Sequence, residues 1–245
     1  MRQVTAGDDE IAARAETRPL TLPEELLILS FEHDPRAHEG EPSRALAAAR
    51  LAELAVRLRI SVEASRVIRR VTVIDRSPTG DALLDPLLIE LAKKRVSPGT
   101  ANEQARGGEV ECVDRLVGLG LLQGEQWQTR VLRRQRVRYE LTRNAEIDAI
   151  HARIVRALAH PGLADLRTIA LIAVACEAES VAIGLGLAHD LEQAGGAGLM
   201  RGRRALKAVS PARYKDFVSA GQASICDTLA AIVRTAKTPW EFGGG

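Results

Sequence analysis

The stretch Pro78-Thr79-Gly80-Asp81-Ala82-Leu83-Leu84-Asp85 runs a turn, a helix cap and the first apolar helical positions together without a gap. Pro78 fixes one backbone angle and Gly80 admits a conformation that side chains resist. The Asp81 carboxylate can accept the free amide hydrogens of a helix starting at Ala82. Upstream, Val67, Arg69, Val71 and Val73 alternate with Ile68, Arg70, Thr72 and Ile74, a period of two that predicts a strand. The junction therefore passes a strand into a helix, and the helix is expected to end near Lys94.

On the N-terminal side, residues 1–18 are polar and lack a sustained period, which predicts a disordered tail. Thr21 and Glu24 have the spacing of a capping box, with Leu26, Leu27 and Leu29 supplying an apolar face behind it. A charged, proline-punctuated loop from His33 to Pro42 follows. Ser43 can cap the next helix, whose Leu46, Ala49, Leu51, Leu54 and Val56 populate a buried side to about Leu58.

Downstream, Ser97-Pro98-Gly99 is a polar connection into a helix that ends at Gly120, with Val110, Val113, Leu116 and Val117 at helical spacing. Trp127 to Leu141 mixes β-branched and charged residues, as in an exposed hairpin. Helices are expected near 146–158, 165–185, 187–194, 200–208 and 211–236, with Ser210-Pro211 opening the last. The fold class is mainly α: a single helical-bundle domain over residues 19–238 with two small β-hairpins, and a flexible C-terminus over 239–245.

Composition supports this architecture. The 245 residues are 46% hydrophobic but only 3% aromatic, so the core must be built from Ala, Leu, Val and Ile, which favours close helix packing. Thirty-four Lys and Arg against 32 Asp and Glu give a formal charge of +2, which by itself announces neither nucleic acid nor anionic lipid. Cys112, Cys176 and Cys226 are odd in number and far apart, suiting a reducing cytoplasm better than a disulfide framework. With Asp8, Asp9 and Glu10 where a signal peptide needs an apolar run, and no long apolar segment, the chain is expected to meet a membrane only from its surface.

The Pro78–Asp85 segment also resembles the Pro-Thr-Gly-Asp-x-Leu-Leu-Asp block of the Golgi phosphoprotein 3 family, whose bacterial members share the domain. Two further blocks fall in the family's order. Leu20-Thr21-Leu22-Pro23-Glu24-Glu25-Leu26-Leu27 is similar to its opening helix. Leu51-Ala52-Glu53-Leu54-Ala55, with Arg57, Arg59, Ile60 and Glu63, is similar to its second. Weaker echoes at Leu116–Leu122, Arg138-Tyr139 and Asp165-Leu166-Arg167-Thr168 extend the likeness to about Lys237.

The resemblance implies binding of phosphatidylinositol 4-phosphate through a Trp and an Arg near the second helix and two Arg on the helix before the second hairpin. Counted without gaps, those positions fall on His38, Ala47, Arg106 and Glu109. Arg106 keeps the family residue, whereas Glu109 would repel a phosphate. Realigning the loop brings in Arg36, Arg44 or Arg50. The head-group candidates are thus Arg106, Arg44, Arg50 and His38. The resemblance further implies a hairpin that meets the membrane and contributes to self-association, and partners among short cytoplasmic protein tails.

The residues themselves point the same way at one place. Trp127 stands just before Arg130, Arg133, Arg134, Arg136 and Arg138, the densest basic cluster in the chain. Guanidinium groups can pair with lipid phosphates while the indole enters the interfacial layer. At about 1 kcal/mol per basic residue, five supply roughly 5 kcal/mol, an assisting patch and not an anchor. The same pattern also suits a solvated edge strand that charge protects against pairing. The membrane-facing candidates are Trp127, Arg130, Arg133, Arg134 and Arg136.

Other constellations read as structural. Asp81 and Asp85 suit a cap and the positive end of a helix dipole better than a catalytic pair. His33, His38, His151, His160 and His189 lack metal-ligand spacing, and Gly184-Leu185-Gly186 and Gly195-Gly196-Ala197-Gly198 neither follow a strand nor meet a Lys-Ser/Thr pair. No enzyme chemistry, metal or cofactor is expected. Three classes stay open: a cytoplasmic peripheral membrane protein, a nucleic-acid-binding regulator built from helix-hairpin units, and a lipid-independent protein scaffold. A basic excess is missing for the second, and Glu111 and Asp114 lie on the helix that would enter a groove.

Overall fold

Thr21 starts the first helix by the local chemistry of its own neighbourhood. Its amide donates to Glu24 Oε2 at 2.6 Å, its hydroxyl donates to the same oxygen at 2.8 Å, and its carbonyl accepts from Glu25 N at 2.9 Å. The helix so capped, α1, spans Leu22–His33. The computed structural model describes residues 19–33, 44–64, 69–128, 135–142, 145–177, 211 and 220–236.

The second helix, α2 (Arg44–Val56), is the centre of the domain. Every residue from Leu46 to Ala55 is buried, the condition of a helix enclosed on all sides. Ala47, Ala48, Ala49, Ala52 and Ala55 let neighbours approach its axis closely. Leu51 and Leu54, with no exposed surface, each contribute about 2 kcal/mol of apolar burial. Two residues past its end, Leu58 takes a left-handed φ of 57°. The chain then enters an antiparallel hairpin of β1 (Ile60–Ala64) and β2 (Arg69–Val73), in which Val62 faces Val71. The strand expected over residues 67–74 is thus its second arm. Ile60 and Glu63, placed by resemblance with the second helix, lie on the first.

The first sheet is held on both flanks. Val62 N donates to Thr228 Oγ1 at 3.0 Å, and Val71 N donates to Val96 O at 2.8 Å. Beyond β2, Gly80 takes a φ of +74°, and Thr79 donates from its amide and its hydroxyl to Asp85 Oδ1 at 2.6 and 2.7 Å. Asp81 Oδ1 accepts from Leu83 N at 2.8 Å and Asp81 O accepts from Asp85 N at 2.9 Å. Asp81 therefore stabilises the helix entrance as expected, but the helix itself, α3 (Leu84–Lys93), starts at Leu84 and not at Ala82.

The single helix expected up to Gly120 is two. Ser97 Oγ accepts from Thr100 N at 3.1 Å and Pro98 takes the first turn of α4 (Pro98–Gln104). Gly107 and Gly108 then adopt φ of 95° and 79°, and α5 (Glu109–Gly118) follows. Its end is as predicted: Gly120 has φ 71°. Gly120 N donates to Val117 O and Leu121 N to Leu116 O, both at 2.9 Å, the paired bonds of a left-handed helix terminus.

The second hairpin joins β3 (Leu122–Gln128) to β4 (Gln135–Leu141). It starts five residues before Trp127, and β3 touches α5 while β4 touches α1. Then come α6 (Ala145–Ala159) and α7 (Leu166–Glu177), the latter capped by Asp165, whose Oδ1 accepts from Thr168 N at 2.8 Å. Finally α8 (Ala220–Val233) lies against α2, α7 and β1. Helices expected near 187–194 and 200–208, the Ser43 and Ser210 caps, the N-terminal tail and the C-terminal segment lie outside the described residues. Among the described residues no helix is long and apolar enough to cross a membrane.

Candidate functional site

Two groups of charge stand out, one buried and one open to solvent. The buried group lies where α1 begins. Glu24, Glu25 and Glu53 are at most 3% exposed, so each carboxylate needs a partner. Arg115 reaches from α5 to Glu24 Oε2 at 2.6 Å, and Arg153 from α6 to Glu25 Oε2 at 2.7 Å. Arg167 on α7 lies 3.1 Å from Glu25 Oε1 and 3.5 Å from Glu53 Oε2, and Arg57 binds Glu53 Oε1 at 2.8 Å. Burial raises the Glu25 pKa against the opposing pull of Arg167 and Arg153. With every carboxylate satisfied by a guanidinium, this network is an internal tie between five helices.

The open group lies at the other end of α5. The side chain of Arg44, first residue of α2, is 3.1 Å from Glu103 Oε1, and that of Arg106, just past α4, is 3.2 Å from Glu103 Oε2. Two of the head-group candidates, 62 positions apart in the chain, thus share one carboxylate. Their side chains are 30% and 34% exposed and Glu103 is 48% exposed. The main chain beneath Arg44 is fixed, since Asn102 Nδ2 donates to Arg44 O at 3.0 Å and to Thr235 Oγ1 at 2.9 Å.

Arg50 belongs to the same region but points inward. Its Nη1 donates to Ala105 O at 2.6 Å and Gly107 O at 3.1 Å, and its Nη2 donates to Leu83 O. The two Nη1 acceptors bracket Arg106, so a buried cation clamps the turn that presents an exposed one. Gly108 is part of this closure: a Cβ there would lie 3.0 Å from Leu83 Cδ2 and 3.5 Å from the Arg50 guanidinium. Burial lowers the Arg50 pKa while the charges of Glu111 and Asp81 nearby oppose the shift; Arg keeps its proton regardless.

Sequence expectations meet this geometry unevenly. Ala47, where an ungapped count places a family Arg, is 1% exposed within the core, whereas Arg44, one turn earlier, faces solvent. Glu109, at the other expected Arg position, is half-buried, and burial pushes its pKa up to about 7. Trp127 and Arg136 are directly opposed in the β3–β4 register. His38, Arg130, Arg133 and Arg134 lie outside the described residues. Sequence reading missed Glu103, although its spacing to Arg106 is that of helical neighbours. It also missed the buried Glu–Arg network, whose partners are far apart in the chain. Among the described residues no group of three or more His, Cys, Asp or Glu could hold a metal ion.

This architecture defines a mainly α-helical domain carrying two antiparallel hairpins, with a solvent-facing arginine pair at one helix junction. The Golgi phosphoprotein 3 (GPP34) family model matches residues 22–212. The chain belongs to that family. Comparison with curated proteins gives no match at the significance required.

Proposed function

We propose that the protein is a peripheral membrane protein that binds anionic phospholipid head groups, of the phosphatidylinositol 4-phosphate type, from the cytoplasmic face. The observation that carries this proposal is the convergence of Arg44 and Arg106 on Glu103: two solvent-facing guanidinium groups already spaced to grip one anion. Arginine's planar fork suits phosphate oxygens. Family membership supplies the lipid class, and Trp127 opposite Arg136 on the second hairpin supports a further contact with the leaflet. His38, Arg130, Arg133 and Arg134 are assigned to the same surface from sequence and resemblance. An adaptor role toward protein tails, and self-association, rest on family membership.

Arg115 weighs against nucleic acid. It is the basic residue of α5, the helix that would enter a groove, and it is committed to Glu24, leaving Glu109, Glu111 and Asp114 on that helix. The deciding experiment is sedimentation with vesicles of phosphatidylcholine, with and without phosphatidylinositol 4-phosphate. The protein is expected to partition onto the second, and Arg106→Ala to weaken this about tenfold, the worth of one charge-assisted contact. Equal partitioning onto both vesicles, or none onto either, rejects the proposal.

A further inference from the structure

We infer that Glu103 is an internal competitor: its carboxylate holds the place between Arg44 and Arg106 that a ligand's anionic group takes, so the site selects phosphomonoesters over phosphodiesters. This inference rests on the head-group proposal and deepens it.

Three features of the geometry support it. Each Glu103 oxygen serves a different arginine, at 3.1 and 3.2 Å, so the carboxylate bridges the pair as an incoming anion would. The main chain that presents the cations is fixed from below, at Arg44 through the Asn102 bond to its carbonyl and at Arg106 through the Arg50 clamp on the carbonyls either side. Glu103 is the most exposed of the three, and among the described residues its carboxylate is tied to those two arginines alone. The carboxylate is therefore the member of the cluster most open to an incoming anion.

The chemistry of exchange then sets the preference. A solvent-exposed ion pair is weak, so the carboxylate can be displaced. Replacing one single negative charge by another, as a phosphodiester would, gains little. A phosphomonoester carries roughly 1.5 to 2 negative charges near neutral pH and three strong acceptor oxygens, so it outbids the carboxylate on both arginines. Glu103 thereby turns a general affinity for anions into a threshold of charge density.

The test is Glu103→Gln, which keeps the size and removes the charge. Wild type and variant are sedimented with charge-matched vesicles containing either phosphatidylinositol 4-phosphate or phosphatidylserine, and with neutral phosphatidylcholine. The wild type is expected to favour the monoester vesicles. The variant is expected to bind both anionic vesicles more tightly, by about three- to tenfold, and to lose most of the preference. Competition by soluble glycerophosphoinositol 4-phosphate and by inorganic phosphate separates a lipid head group from a free phosphorylated ligand, and in either arm the variant must be the tighter binder. A wild type that discriminates alongside a variant of unchanged affinity and preference overturns the role of Glu103 and leaves the head-group proposal standing. If both proteins ignore every anionic vesicle and soluble anion, the head-group proposal falls and this inference with it.

Discussion

Glu53, in the middle of α2, accepts the amide hydrogen of Leu22 at the first turn of α1, at 2.8 Å across 31 positions of sequence. One carboxylate thereby satisfies a free helix-end donor on a neighbouring element while holding Arg57 and lying near Arg167. Removing one member of a buried ionic group leaves the others uncompensated. Glu53→Ala is expected to destabilise the fold by about 3 kcal/mol, a fall in melting temperature of roughly 6–12 °C for a chain of this size. Thermal denaturation followed by circular dichroism measures it, and a change within 1 °C would contradict a central role for the network.

The glycine pair between α4 and α5 separates two costs that usually come together. Both residues have positive φ, but a Cβ at Gly107 would meet nothing within 4 Å, whereas one at Gly108 would press on Leu83 at 3.0 Å. Gly107→Ala should cost about 1 kcal/mol from backbone strain alone. Gly108→Ala should cost about 1 kcal/mol more, from the added crowding. Urea midpoints rank the two, and the order Gly107→Ala worse than Gly108→Ala would refute the packing explanation.

Glu109 predicts a pH dependence with a definite sign. Its ordinary pKa of 4.5 rises to about 7 in the folded protein because burial disfavours the charged form. The unfolded chain therefore sheds this proton first. Stability declines from about pH 4.5 to pH 7, and the full penalty is present above that. Glu109→Gln is expected to stabilise the protein at pH 8 by on the order of 1 kcal/mol, discounted because the group is only half-buried, and to change nothing near pH 4. Melting curves of both proteins across that range should converge at the acid end; divergence there instead would reverse the assignment.

The register of the second hairpin yields a paired test. With Trp127 opposite Arg136, replacing both by Ala should weaken partitioning onto vesicles containing anionic lipid about tenfold, with the arginine's share fading as salt rises. Helical circular dichroism should be unchanged, since both residues lie on strands and neither belongs to a helix. Vesicle binding that survives the double substitution intact would remove the hairpin from the membrane contact.

What the sequence disclosed was local. The Thr21–Glu24 cap, the Gly80 turn and the Gly120 terminus all depend on residues within a few positions of one another, and each is found where the spacing places it. The division between α4 and α5 was equally local, written in Gly107-Gly108, but helical periodicity in Val110–Val117 extends readily backward over a break. Two small hairpins are expected from the sequence, yet β1 is hidden there: Ile60–Ala64 alternates over only five residues, and the resemblance groups Ile60 and Glu63 with the preceding helix. The arginine pair was half legible: Arg106 stood out, but its meeting with Arg44 depends on how α2 and α4 pack. The buried glutamates were illegible because a charged residue is solvated by default, and only tertiary contacts bring Arg115, Arg153 and Arg167 to them.

The first sheet has a consequence for behaviour at high concentration. With Thr228 occupying the outward amide of Val62 and Val96 that of Val71, the central backbone donor on each margin is taken up within the molecule and is not left to a foreign chain. On the β1 side, pairing with a foreign strand at Val62 would first require α8 to peel away, so the docking of that helix also shields part of the ribbon from intermolecular pairing.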